Sequence, residues 1–285
     1  MLKNRLLFGI IMIVVFTGAV IFDGWMDGSL TKTVDDDAKV KGTIFCILIC
    51  LLAIPANLEL AKLASANNLK VFIPVSIIAS ILLAESRYFA QFNTFNQEQF
   101  ILFVLVFSFL LIFLFQYLFY GLSSVIVNCG ATCFTILYLG LFSYFTVAIR
   151  LEFGLRHLFM YIFVVKCTDI GAFTAGKLFG KHKFSPNISP GKTWEGICGG
   201  VIGALIVAIG FSAGFGIMKL FMAIIFGICL AFIGQLGDLM ESMIKRDAQQ
   251  KDSAKKIPGF GGVLDVIDSP LAAAPFAYLF FIWTS

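Results

Sequence analysis

Charge is what this sequence has least of. Only 13% of its 285 residues are Asp, Glu, Lys or Arg, against about 25% in soluble domains. With 59% hydrophobic residues and a mean hydropathy of +0.94, a water-soluble globule is excluded and an integral membrane protein remains. Paired cysteines are missing as well: the seven, at 46, 50, 129, 133, 167, 198 and 229, lie in apolar runs and none forms a C-x-x-C pair. That leaves them as small buried packing residues rather than disulfides or metal ligands. No clear small-x-small cleavage site follows the opening M-L-K-N-R and its apolar run, which reaches Phe22-Asp23-Gly24, so an uncleaved first helix is expected. A P-loop is also excluded. Gly191-Lys192-Thr193 would need a glycine five residues before Gly191, and Pro186 stands there. The net charge of +4 carries no message about nucleic acid, and no nucleic-acid partner is expected, because the basic residues distribute by membrane side.

Long apolar runs are plentiful. Crossing about 30 Å of hydrocarbon takes about 20 apolar residues in a helix. Nine runs are read, at 5–22, 43–61, 70–84, 99–119, 121–148, 157–176, 196–215, 219–237 and 264–283. The predicted fold is an all-α polytopic membrane protein with about nine transmembrane helices. Threading from an inside N-terminus puts Lys3, Arg5, Lys62, Lys70, Lys177, Lys181, Lys183, Lys192, Lys245, Arg246, Lys251, Lys255 and Lys256 on one side. The other side receives Lys32, Lys39, Lys41, Arg87, Arg150, Arg156 and Lys219. The positive-inside bias makes the first side cytoplasmic, as is then the N-terminus. The C-terminus and the acidic loop V-D-D-D-A at 34–38 are expected outside, in what reads as a bacterial-type inner (plasma) membrane. Residues 1–150 form a helical scaffold; residues 151–285 carry cytoplasmic loops 177–195 and 238–262 and nearly all the unusual residues. In the scaffold Asn57, Glu59, Gln116 and Asn128 read as interhelical hydrogen-bond partners. Gly196 with Gly200, and Gly199 with Gly203, suit close helix packing and a homodimer face.

Four acids carry the chemistry. Asp169 lies inside the sixth run, V-V-K-C-T-D-I-G-A-F, where an ionised side chain is by default a functional candidate. Lys166, three residues earlier on the same face, makes a buried ion pair the alternative. Asp238 closes the eighth run in G-Q-L-G-D-L-M-E-S-M-I-K-R. The spacing of Leu236, Leu239, Met240, Met243 and Ile244 continues that helix as an amphipathic rod. Asp238, Glu241, Ser242 and Lys245 share its polar face, which solvation alone could explain. Pro258-Gly259 end the helical reading, and Asp265 and Asp268, three apart, point the same way from the first turn of the ninth run. Capping of a positive helix end accounts for one carboxylate, not two.

Together Asp169, Asp238, Asp265 and Asp268 fall in the cytoplasmic half of the membrane or at its edge. An apolar bundle tolerates such a group only with compensating positive charge. Oxygen donors suit a hard cation, above all Mg²⁺, alone or with a second cation. Lys177, Lys181, Lys192, Lys245, Arg246 and Lys251 stand around the acids and suit phosphate oxygens. Such a pairing points to phosphoryl or nucleotidyl transfer. The stiff loop G-K-H-K-F-S-P-N-I-S-P-G-K-T-W-E-G at 180–196 sets Lys192, Thr193 and Glu195 at the entrance of the seventh run, to reach a polyphosphate or to serve as a positive-inside anchor.

From Ser242 to Asp268 the chain resembles the signature of the phosphatidate cytidylyltransferase (CDP-diacylglycerol synthase) family. Ser242, Lys245, Arg246, Lys251, Asp252, Ala254, Pro258, Gly261, Gly262, Asp265 and Asp268 fall in register. The S-P-x-x-S-P-x-K-T-W-E-G loop and the T-D-x-G-A-aromatic segment are similar to that family too. The resemblance is strong over about 166–275 and weak before. Phe260 stands where the family has histidine, and Val266 where it has arginine.

The resemblance implies that CTP and phosphatidate react to give CDP-diacylglycerol and pyrophosphate. It implies catalytic roles for Asp238, Asp265, Asp268 and Lys245, with Asp169, Asp238, Asp265 and Asp268 holding metal. Substrate contacts would come from Lys177, Lys181, Ser189, Lys192, Thr193, Glu195, Ser242, Arg246, Lys251, Asp252, Gly261 and Gly262, with the lipid tails in the inner leaflet. A phosphomonoester with a second pKa of about 6 needs no strong base, so neither His157 nor His182 is required. Two rivals remain: a CTP-dependent polyprenol or phytol kinase, and an ion-coupled transporter, whose usual paired broken helices the sequence does not display.

Overall fold

The computed structural model describes residues 2–30, 38–92, 96–254, 257 and 261–284, with side chains in the first helix from Phe8 onward. Outside these residues lie most of the acidic loop, Lys32, Lys255, Lys256, and the signature positions Pro258 and Phe260. The helices are α1 (Leu2–Met26), α2 (Thr43–Ala66), α3 (Ile73–Ala84), α4 (Ser86–Phe89), α5 (Gln97–Tyr120), α6 (Val125–Thr135), α7 (Phe142–Ala148), α8 (Leu155–Phe179), α9 (Trp194–Phe215), α10 (Leu220–Asp247) and α11 (Leu264–Thr284). π-helical turns at Ile136–Leu141 and Ile149–Phe153 extend α6 and α7 into one rod.

Eight spans among the described residues are long and apolar enough to cross a membrane. The bent pair Ile73–Ala84 and Ser86–Phe92 makes a ninth if it is one span. This is an integral membrane protein of the expected all-α kind. A short antiparallel hairpin, β1 (Lys183–Ser185) with β2 (Ser189–Thr193), stands where the sequence suggested only a stiff loop, and an isolated antiparallel bridge pairs Ile257 with Gly261. The 53° bend was not foreseen. Ser86 Oγ donates to the Leu83 carbonyl at 2.8 Å, and such side-chain competition for a helix carbonyl bends the ladder.

Two compact units divide the chain: Met1–Leu151 with Asp247–Val266, and Glu152–Arg246 with Ile267–Ser285. Residues 247–266, on the loop between α10 and α11 and the start of α11, go with the first unit. In that unit Asn57 pairs with Ser76, and Asn128 Nδ2 donates to Gln116 Oε1 at 3.3 Å. These are the interhelical roles expected of polar residues in spans. Arg150, which follows the fifth apolar run, is 1% exposed, and its guanidinium donates to Asp23 at 2.7 Å and to Asp27 at 2.6 Å. Asp23 also accepts the Ile44 N–H at the unpaired N-terminus of α2.

In the second unit α8 and α9 lie backbone to backbone. A Cβ on Gly171 would sit 2.5 Å from the Gly199 carbonyl oxygen, and one on Gly203 would sit 2.6 Å from that of Cys167. The small residues offered for a dimer face, Gly196, Gly199, Gly200 and Gly203, are thus occupied by α8 of the same chain. All seven cysteines are free thiols, but Cys198 and Cys229 are exposed rather than buried, because they face away from the packed sides of α9 and α10.

Candidate active site

The site grows from three helices in the second unit, α8, α10 and α11. Helix α10 continues past the apolar stretch to Asp247 and carries Asp238, Glu241, Ser242 and Lys245 on consecutive turns. Helix α11 brings Asp268 and Ser269. The two helices approach closely at Gly237, where a Cβ would lie 2.6 Å from Ala272 Cβ and 3.1 Å from the Asp268 carbonyl oxygen. One carboxylate oxygen each from Asp238, Glu241 and Asp268 lie within 4.8 Å of one another. Glu241 is fully buried, Asp268 is buried, and Asp238 is about a third exposed. The polar face of α10, which solvation could have explained, is therefore turned inward.

Counter-charges and donors surround the acids. Lys192 Nζ lies 3.1 Å from Asp238 Oδ2 and donates to the Gln235 carbonyl at 2.8 Å. Lys245 Nζ contacts Glu241 Oε2 at 2.5 Å, one helical turn away on α10. Ser242 Oγ donates to Asp238 Oδ1 at 3.4 Å. Asp268 Oδ1 accepts the Ser269 N–H at 2.6 Å. From α8, Asp169 joins through Ser269 Oγ, which lies 3.5 Å from its Oδ1 and 3.3 Å from Asp268 Oδ1. Lys166 faces Asp169 at 3.7 Å, so the ion pair read as an alternative exists beside the acid cluster. Three clustered carboxylates face two contacting ammonium groups, so a bound cation or a retained proton would balance the group when all three acids would otherwise be ionised. An all-carboxylate oxygen set of this kind fits a hard divalent ion such as Mg²⁺.

The hairpin residues have defined partners. Thr193 Oγ1 accepts the Gly196 N–H and caps α9. The Glu195 carboxylate takes the Lys181 N–H at 3.1 Å and His182 Nδ1 at 2.6 Å. Both thus brace the hairpin. Ser189 pairs with Ser185 across it, and Arg246 Nε donates to the Ile188 carbonyl at 3.1 Å. Lys177 and Lys181 are exposed where α8 gives way to the hairpin.

The remaining signature residues belong to the first unit. Lys251 and Asp252 are exposed there. Asp265 Oδ2 accepts from Ser253 N at 2.9 Å, Ser253 Oγ at 2.7 Å and Gly262 N at 2.8 Å. The structure thus gathers Asp169, Asp238 and Asp268, and shows Asp265 tying down the loop before its own helix. Glu241 escaped sequence reasoning as a metal candidate. Its three-residue offset from Asp238, on the same helical face, was the available signal.

Comparison with known proteins places the chain. It resembles a phosphatidate cytidylyltransferase of Haemophilus influenzae, 47% identical over 131 residues, which are 44% of this chain and 46% of the relative. A Bacillus subtilis protein of the same name is 41% identical over 146 residues, 50% of this chain and 54% of the relative. One from Brucella suis is 40% identical over 134 residues, 45% and 47% of the two chains. The chain therefore spans about half the length of the curated relatives it matches. Residues 37–283 match the sequence profile of the Cytidylyltransferase family, nearly the whole length, and the chain belongs to that family.

Proposed function

We propose that this protein transfers the cytidylyl group of CTP to phosphatidate, giving CDP-diacylglycerol and pyrophosphate. The observation that carries the reading is the triple carboxylate of Asp238, Glu241 and Asp268, with lysines at hand, in a chain of the Cytidylyltransferase family. Asp238, Glu241 and Asp268 would hold Mg²⁺, with Asp169 supporting them. Bound there, the ion would neutralise charge on the α-phosphate and on the departing pyrophosphate. Lys192 is the residue best placed to exchange Asp238 for a phosphate oxygen, since its ammonium is a mobile point charge on a long stem. Lys177, Lys181 and Arg246 supply further donors toward the triphosphate and the lipid phosphate. Asp265, the other acid proposed at the site, would act with the cluster as a further ligand or by fixing the loop that it anchors.

The attacking phosphate oxygen of phosphatidate is already ionised near neutral pH, so no side chain need remove a proton. What these residues would contribute is orientation and charge neutralisation. The basic excess near the hairpin and the end of α10 supports a cytoplasmic-facing site, with CTP drawn from the cytoplasm and phosphatidate from the adjoining leaflet. The test is to incubate the detergent-solubilised full chain with α-labelled CTP, Mg²⁺ and phosphatidate. Labelled lipid together with pyrophosphate is expected. Release of CDP with phosphate passed to a lipid alcohol would instead make the protein a CTP-dependent kinase.

A further inference from the structure

In the first unit, a residue far from the signature in sequence holds the signature loop. Glu59, on α2, is 2% exposed. Its Oε2 accepts from Ser253 Oγ at 3.0 Å and from the Leu264 N–H at 2.9 Å, at the first residue of α11. Ser253 is itself fully buried, and its hydroxyl also lies 2.7 Å from Asp265 Oδ2. The hydroxyl has one proton, so Glu59 and Asp265 bracket a single donor, and the position of one carboxylate is tied to that of the other.

The two glycines of the signature are shaped by this network. A Cβ on Gly262 would run into Ser253 Oγ and Glu59 Oε2, so any side chain there would displace the pair. Gly261 has φ +107, and its Cβ would lie 2.5 Å from Asp265 Oδ2. The space that these glycines leave is filled by Glu59, Ser253 and Asp265.

We infer that Glu59 is a positioning residue of the reaction: acting through Ser253 and the Leu264 amide, it fixes the loop and the carboxylate of Asp265. The inference rests on the transferase reading above, so its test has a readout independent of turnover. Two variants, Glu59→Gln and Ser253→Ala, are made in the full chain along with the double substitution. Hydrogen–deuterium exchange is followed over residues 250–263, and kcat and KM for CTP are measured with phosphatidate and Mg²⁺. Losing one charge-assisted hydrogen bond corresponds to about tenfold. Glu59→Gln is therefore expected to speed exchange in the loop by that factor and to lower kcat similarly, with KM for CTP within about twofold. The double variant is expected to lose less than the sum of the two single losses, because both variants remove the Ser253–Glu59 bond and only the Leu264 N–H contact is separate.

Unchanged loop exchange in a folded Glu59→Gln protein overturns the inference. So does a kcat equal to that of the unsubstituted chain, or a double variant whose losses add. Should Glu59→Gln fail to fold, Ser253→Ala alone decides by the same loop exchange and kcat. If the unsubstituted chain makes no CDP-diacylglycerol, the transferase reading falls, while loop exchange still reports whether Glu59 holds the loop.

Discussion

At the scale of single residues the acids differ in what surrounds them, and so in what their loss should do. Asp268→Asn removes one of three clustered donors without changing shape. Loss of one preorganised electrostatic stabiliser typically costs on the order of a hundredfold or more in kcat, so turnover should fall by that much while the Mg²⁺ concentration for half activity rises. An Asp268→Asn protein with near-normal formation of CDP-diacylglycerol would remove this residue from the site. Lys245→Met tests a different quantity, since it takes the ammonium from a carboxylate with no exposure. Breaking a buried pair from one side costs about 3–5 kcal/mol, so the thermal midpoint in detergent should drop sharply; an unchanged midpoint would show that Glu241 does not depend on Lys245. Asp169, Asp238 and Asp268 were legible in the sequence because acids in apolar runs are conspicuous. Glu241 was not, because one sequence cannot say which side of an amphipathic rod faces a neighbour. The burial of Arg150 was equally hidden: its partners Asp23 and Asp27 lie more than a hundred residues away.

At the scale of elements, two contacts make distinct predictions. The seam between α8 and α9 has a carbonyl oxygen 2.6 Å from any Cβ placed on Gly203. Overpacking of this kind costs about 1–3 kcal/mol, so Gly203→Ala should lower the thermal midpoint, whereas Gly210→Ala, with open space around it, should not. Equal effects of the two would show that the seam is looser than described. The second contact joins the end of α1 to the start of α2 and to Arg150. Burial alone would raise the Asp27 carboxyl, but hydrogen bonds from Ser29 and Gly42 and the Arg150 guanidinium outweigh it and hold the group below its ordinary 3.8. The unfolded chain then binds the proton more readily. The stabilisation is full above the ordinary value and is lost as pH falls through the lower, folded one. An Asp27→Asn variant should be less stable than the unsubstituted chain at pH 7, and the gap should narrow below about pH 4; a gap that widens there refutes the assignment. Helix positions were readable to within a few residues from apolar runs, but the π-helical turns and the hairpin were not. The hairpin depends on Trp194 N–H to His182 carbonyl pairing and on the Glu195 brace, neither of which has a periodic signature.

At the scale of the whole molecule, the parity of spans decides where the C-terminus lies. Counted as one span, the bent pair Ile73–Phe92 gives nine crossings and opposite sides for the two termini. Counted as re-entrant, it leaves eight and the same side for both. The asymmetry of Lys and Arg favours nine with the hairpin inside. Reporters active only outside the cytoplasm, fused to each terminus in turn, should therefore be active at the C-terminus and inactive at the N-terminus; the same result at both termini would make the pair re-entrant. Composition alone announced membrane residence, and the signature announced the family. What neither could announce is the division of the signature itself: Lys251 to Asp265 goes with the first unit and Asp268 with the second.

The glycine seam reaches beyond stability. Two rods in contact through glycine main chain, with only small side chains such as Thr168, Ala172 and Ala175 at the seam, leave little room there for one to slide past the other or for an acyl tail to enter. The basic hairpin that joins them is a handle on a fixed mount, and any change in where its lysines reach must come from flexing within its own dozen residues.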